Sequence, residues 1–143
     1  MGDQEGVTVP LSKPEATAIR KLRQSRERKV THRFVVEGVR AVSEALIAGL
    51  GMHRAVVSPR LESVEGGPEL KEALFERGVP LSEVPDRTLR GLSDTESPQG
   101  VVVVGAEPTI PLARLDAARG VLALDGVQDP GNVGTLIRSA HAF

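Results

Sequence analysis

Read along the chain, the apolar positions switch between a helical period and a strand period. Residues 1–12 show no clear period and read as loose chain or a short edge strand. Ser12 and Glu15 stand three apart with Pro14 between them, a capping box with proline in the first turn, and predict a helix over about 14–30. Its apolar positions are few, so it docks through Ile19 and Leu22. Phe34-Val35-Val36 reads as a short strand, and Val39, Val42, Ala45 and Leu46 fall on one helical face that stops at Gly49 and Gly51. A strand around Val56-Val57 is closed by Pro59. Pro68 opens a helix with Leu70, Ala73 and Leu74 inside, stopped by Gly78. Val79–Val84 alternates like a strand, and Pro85–Leu92 reads as a short helical segment. Val101–Val104, set between Gly100 and Gly105, is apolar throughout. The alternation over residues 33–105 predicts a small three-layer α/β domain with a largely parallel sheet.

Residues 106–119 read as a linker, framed by Pro108 and Pro111, with a helical turn suggested by Leu112 and Leu115. A second unit is expected over 120–143. Val121–Val127 reads as a strand buried on both faces, residues 125–134 as a loop, and a helix is expected to begin near Thr135 with Leu136, Ile137 and Ala140 inward. The length of 143 residues suits one domain, or one and part of another.

Composition narrows the function. Apolar residues make up 40% and charged residues 26%, an ordinary globular balance, and no apolar run reaches the ~18–20 residues of a membrane span. Met1–Pro10 carries Asp3 and Glu5 and lacks the layout of a secretory signal. With no cysteine there are no disulfides, thiolate metal sites or cysteine nucleophiles, which fits a reducing, cytoplasmic setting. His32, His53 and His141 are scattered, and no metal site is expected. There is no Trp or Tyr and only three Phe, so any grip on RNA should rest mainly on charge, backbone and shape.

The net charge of −1 hides an asymmetry: residues 1–40 hold nine Lys/Arg against five Asp/Glu, and residues 41–143 hold nine against fourteen. Arg20, Lys21, Arg23, Arg26, Arg28, Lys29 and Arg33 face only Glu27. Such an arm (residues 1–32) is either a solvated helix face or a phosphate-contacting one, and its density points to a polyanionic partner.

The loop after Val121–Leu124 is a candidate anion site, because helix N-terminal amides face outward there. It is not a P-loop: Gly126 and Gly131 have the right separation, but Asn132 and Val133 stand where Lys and Ser/Thr are needed. Gly131 and Gly134 do not supply a dinucleotide fingerprint. The run Asp129-Pro130-Gly131-Asn132-Val133-Gly134-Thr135-Leu136-Ile137-Arg138-Ser139-Ala140 instead resembles the first signature motif of the SpoU/TrmH family of RNA ribose 2'-O-methyltransferases, members of the knotted SPOUT class. Phe34-Val35-Val36-Glu37-Gly38 and Ser93–Val101 resemble two marks of the RNA-binding domain that precedes the methyltransferase domain in that family.

The resemblance implies a ribosomal-protein-like RNA-binding domain over 33–105, then the first strand, loop and helix of an incomplete methyltransferase domain. It implies methyl transfer from S-adenosylmethionine to a ribose 2'-hydroxyl of rRNA or tRNA. Arg138 would act on the target ribose and its phosphate, and Asn132 would be part of the catalytic centre, positioning Arg138. A guanidinium is a poor base in water, and its rigid donor fork suits a phosphate or a developing alkoxide. The bland alternatives are a surface salt bridge from Arg138 to Asp125 or Asp129, and a turn or capping role for Asn132. Gly131 and Gly134 are expected to allow close backbone approach or positive φ, and Glu37 to cap the helix after Gly38. The resemblance implies a glutamate-containing second motif and a third motif whose loop forms the knot and holds the cofactor; neither occurs here, so the fragment is expected to be inactive and to lack the S-adenosylmethionine site. A homodimer is implied for the full-length protein. The contrasting expectation is a noncatalytic RNA-binding module of the same fold.

Overall fold

The computed structural model describes residues 7–111 and 120–143. The expected turn at Leu112 and Leu115 lies outside them. The chain divides into two compact units, Met1–Pro108 and Thr109–Phe143.

The first unit holds helices α1 (Lys13–Lys21) and α2 (Ser25–Thr31), strand β1 (Arg33–Glu37), α3 (Val39–Ile47) and β2 (Met52–Val57). A 3-10 helix (Pro59–Ser63) follows, then α4 (Gly67–Glu76), β3 (Leu81–Glu83), α5 (Asp86–Arg90) and β4 (Val101–Ala106). The four strands form one sheet in the order β1-β4-β2-β3. The expected helix at 14–30 is two helices: α1 ends at Lys21, capped by Leu22, and a second helix starts at Ser25. Thr8 forms a parallel bridge to Leu81, so the segment before α1 extends the β3 edge.

Three layers are present. On one face α3, α4 and the 3-10 helix cover Ala55, Val57, Val101 and Val103. On the other, Ala16, Ile19 and Leu22 of the first helix and Leu89 and Leu92 near α5 cover Val56, Val102 and Val104. The all-valine run of β4 follows from this, because alternate side chains enter opposite cores and both must be apolar.

The sheet is not largely parallel. β2 and β3 pair in parallel, but β4 runs antiparallel to both neighbours, with Val35 opposite Val104 and Ala55 opposite Val103. The strand–helix–strand units do set β1, β2 and β3 in one direction; the last strand then enters between β1 and β2 and reverses the pairings. Central placement suits the most apolar strand, since only there are both faces and both edges taken out of water.

In the second unit α6 spans Pro130–Ala142, and residues 120–129 form neither helix nor strand. The strand expected at 121–127 is therefore not formed: Val121, Leu122, Leu124 and Val127 are exposed, and strand backbone needs a neighbour for its N–H and C=O groups.

Candidate nucleic-acid interface

The basic arm is built into the domain. Ser12 and Glu15 form the capping box: the Ser12 amide donates to Glu15 Oε2 at 2.9 Å, and the Glu15 amide returns to Ser12 Oγ at 3.4 Å. Arg54 Nη2 reaches Glu15 Oε1 at 2.7 Å and Nη1 donates to Ser82 Oγ at 2.8 Å, tying α1 to the sheet. The Ser12 hydroxyl and amide, with Arg54 behind them, hold the Glu15 carboxyl below its ordinary range.

The seven expected contact cations fall into two groups. Arg28 Nη1 donates to the carbonyls of Leu22 at 2.9 Å and Arg23 at 2.7 Å, closing the open end of α1. Arg23 bonds the Ser93 carbonyl and pairs with Asp94, and Arg20 Nε donates to the Ala16 carbonyl at 3.2 Å. Lys21, Arg26, Lys29 and Arg33 are exposed, and among the described residues none forms an ion pair.

The two sequence marks, some sixty positions apart, meet at one end of the sheet. Glu37 Oε1 accepts from the Asp94 amide at 2.8 Å, and Ser93 Oγ donates to Glu37 Oε2. Gln99 Oε1 accepts from the Val39 amide at 2.8 Å. Glu37 thus braces the 93–95 loop, and the cap of α3 comes from Gln99, not Glu37. Gly38, at φ +85°, leaves room for that amide: a Cβ there would lie 2.9 Å from Gln99 Oε1. This long-range cap is the site feature that sequence reading missed, and no local pattern announces it.

In the second unit α6 begins five residues before the expected Thr135. Asp129 is the N-cap, its carboxylate accepting from the Gly131 and Asn132 amides at 3.2 Å each. Capping therefore belongs to Asp129, and Asn132 sits inside the first turn. Gly131 and Gly134 are helical, without positive φ; each instead allows close approach, Gly131 to the Asp129 carboxylate and Gly134 to Arg138 Nη1. Arg138 Nη2 donates to Thr135 Oγ1 at 3.2 Å, and among the described residues it forms no salt bridge to Asp125 or Asp129. Six positions apart on one helix, Asn132 and Arg138 are separated by about 9 Å of rise and a third of a turn, so α6 does not bring them together by itself.

Residues 13–103 match the family described as the MRM3-like substrate binding domain. The chain is 34% identical over 123 residues to the 23S rRNA (guanosine(2553)-2'-O)-methyltransferase RlmP of Bacillus subtilis, covering 86% of this chain and 45% of that protein. It is 34% identical over 114 residues to the human mitochondrial rRNA methyltransferase 3, covering 76% and 26%. Among solved structures, an AdoMet-bound rRNA methyltransferase from Sinorhizobium meliloti superposes with a TM-score of 0.66 at 29% identity, over 99% of this chain and 52% of that one. The chain spans about half the length of RlmP and less of the human relative.

Proposed function

The chain belongs to the family of the MRM3-like substrate binding domain, and we propose that it serves a ribose 2'-O-methyltransferase acting on rRNA or tRNA. The observation that carries this reading is the presence on one chain of that domain and the Asp129–Ala140 motif, in a protein whose relatives are rRNA and tRNA methyltransferases. The first unit binds RNA through the exposed cations of α1, α2 and β1, phosphate contacts setting position and shape adding selectivity. Arg138, exposed on α6 with its fork held at one end by Thr135, is presented to a ribose-phosphate. Asn132 completes the site with groups other than Arg138.

The methyl donor in this reading is S-adenosylmethionine. Residues 120–143 do not by themselves fit it. A nucleoside ligand needs an enclosed, partly apolar cleft, whereas Val121, Leu122 and Leu124 stand open and the Asp129 carboxylate is spent on the α6 amides. No transfer step is assigned to these residues alone. A homodimer through the methyltransferase half and a cytoplasmic setting belong to the same proposal.

The test is methyl incorporation into rRNA and tRNA from labelled S-adenosylmethionine. It compares the chain alone with the chain joined to the second half of its Bacillus subtilis relative. The joined protein is expected to be active and the chain alone inactive. Arg138→Ala should cost the joined protein about 100-fold or more, the scale of losing a preorganised transition-state donor. Methylation unchanged by Arg138→Ala refutes the role of Arg138. RNA binding without methylation in the joined protein supports a noncatalytic binding module instead.

A further inference from the structure

Three cavities of the first unit can be compared by the state of their cations. One of about 270 Å³ lies between α1, α2 and the sheet; it shares Arg33 with the third, but its other arginine, Arg54, is already paired with Glu15 at 2.7 Å and Glu27 also lines it. One beside α4 contains Lys71, which is bridged to Glu62 at 2.9 Å and Glu83 at 3.0 Å. The third, about 320 Å³, lies where α2 meets the start of β1 and is lined by Ser25, Arg28, Lys29, Arg33, Phe34 and Glu107. Its charge is uncommitted. Lys29 and Arg33 are exposed and form no ion pair among the described residues, while its one carboxylate, Glu107, is engaged by His32 Nδ1 at 2.9 Å. Arg28 is held by two carbonyls through Nη1, so its guanidinium is ordered before any ligand arrives. Phe34 is half-buried, its ring tip against the backbone where Gly105 lacks a Cβ, and it brings an aromatic surface to a cationic niche.

We infer that this niche is a single-nucleotide subsite for an RNA strand, with a backbone phosphate held by Lys29, Arg33 and Arg28 and the adjoining base against Phe34. The inference rests on the RNA-binding reading above and names the place on the domain where that binding is anchored. Around this one cavity stand two cations without ion pairs, an arginine already ordered by its contacts to α1, and one of the chain's three aromatic rings, a combination that a merely solvated basic face does not require. A free phosphate would use the cations and leave the ring idle; a nucleotide uses both, since stacking is tolerant of base identity.

The test is binding of a fluorescently labelled single-stranded ribo-oligonucleotide to the 143-residue chain across a salt series. Lys29→Glu is expected to weaken binding at least tenfold and to flatten the salt dependence by about one phosphate's worth of counterion release. Arg26→Glu, an exposed cation of the same arm on α2 but outside the niche, should also weaken binding, by at least threefold less than Lys29→Glu. Phe34→Leu should weaken binding fivefold or more without changing the salt dependence, and Phe34→Tyr should restore it. A mononucleotide should compete far better than inorganic phosphate. Equal losses for Lys29→Glu and Arg26→Glu overturn the niche while leaving RNA binding intact, and this comparison holds even if Phe34→Leu fails to fold. Equal competition by inorganic phosphate overturns the base contact. A wild-type chain that binds no RNA overturns both the niche and the reading beneath it.

Discussion

Two apolar runs of four residues meet opposite fates. Val101–Val104 are 1%, 0%, 0% and 5% exposed, whereas in Val121–Leu124 the large side chains Val121, Leu122 and Leu124 are 62%, 46% and 39% exposed. Both runs read as apolar strands, the second as one buried on two faces. The first has β1 and β2 on its edges and helices over both faces; residues 120–129 have no strand neighbour among the described residues. Hydrophobicity makes a segment eligible for a sheet, and neighbours that accept its hydrogen bonds make it a strand.

The sharpest way to break this comparison is to bury a charge in each run. Val103→Asp is expected to unfold the first unit, because an unpaired carboxylate has no partner in that core. Leu122→Asp should change thermal stability by no more than about 0.5 kcal/mol, as for an exposed site. Circular dichroism melting distinguishes the two. Hydrogen exchange gives an independent view: amide exchange at Leu122 and Leu124 as slow as at Val102 would erase the contrast.

Glycines sharpen it further. Gly100 at φ +88° and Gly126 at φ +67° both occupy the left-handed region, but a Cβ on Gly100 runs into the backbone of Leu61 whereas one on Gly126 meets nothing within 4 Å. Gly100→Ala should therefore cost about 3 kcal/mol or more, strain plus overpacking, and Gly126→Ala about 1 kcal/mol from strain alone. Chemical denaturation reads both, as a large drop in unfolding midpoint for the first and a small one for the second.

Caps give a smaller effect. Gln99→Ala removes an acceptor that reaches α3 across sixty positions, and Asp129→Ala removes one local to α6. Each is expected to cost its helix about 1 kcal/mol. Asp129→Ala should show mainly as lost helicity, because a 13-residue helix with no buried side chain depends on its cap. Gln99→Ala should show as lowered global stability.

The smallest effect is that of pH on α1. The Glu15 carboxyl is held low by Ser12 first and Arg54 last, so its contribution is present above the ordinary value of 4.5 and lost as pH falls through the lowered folded value. Wild type should exceed Glu15→Gln in thermal stability at neutral pH, and the difference should vanish in acid. A difference that persisted below pH 2 would show that Ser12 and Arg54 do not act through the charge.

Much of the local structure was legible. The Ser12–Glu15 spacing announced the start of α1, Gly78 ended α4, and the period changes located every strand of the first unit. Where reading failed, two elements far apart in sequence had to meet. That Arg23 is held depends on Ser93 and Asp94, about seventy positions away. The roles of Glu37 and Gln99 depend on a loop sixty residues away. Two errors were local: the break between α1 and α2, where Arg28 folds back onto the carbonyls of Leu22 and Arg23, and the early start of α6, where Asp129-Pro130 is an N-cap followed by an N1 proline that the two glycines obscured.

By itself the sequence determined the strands of the first unit, the common direction of β1, β2 and β3, the fully apolar character of β4 and the presence of a basic arm and an Asn–Arg motif. Periodicity, caps and charge are properties of neighbouring residues. Only the tertiary structure decided that β4 lies between β1 and β2, that Val121–Leu124 stays open, and that Arg23 is held while Lys29 and Arg33 are free of ion pairs among the described residues. Those outcomes depend on which backbone edges and charges meet across long stretches of chain, and no local pattern carries that information.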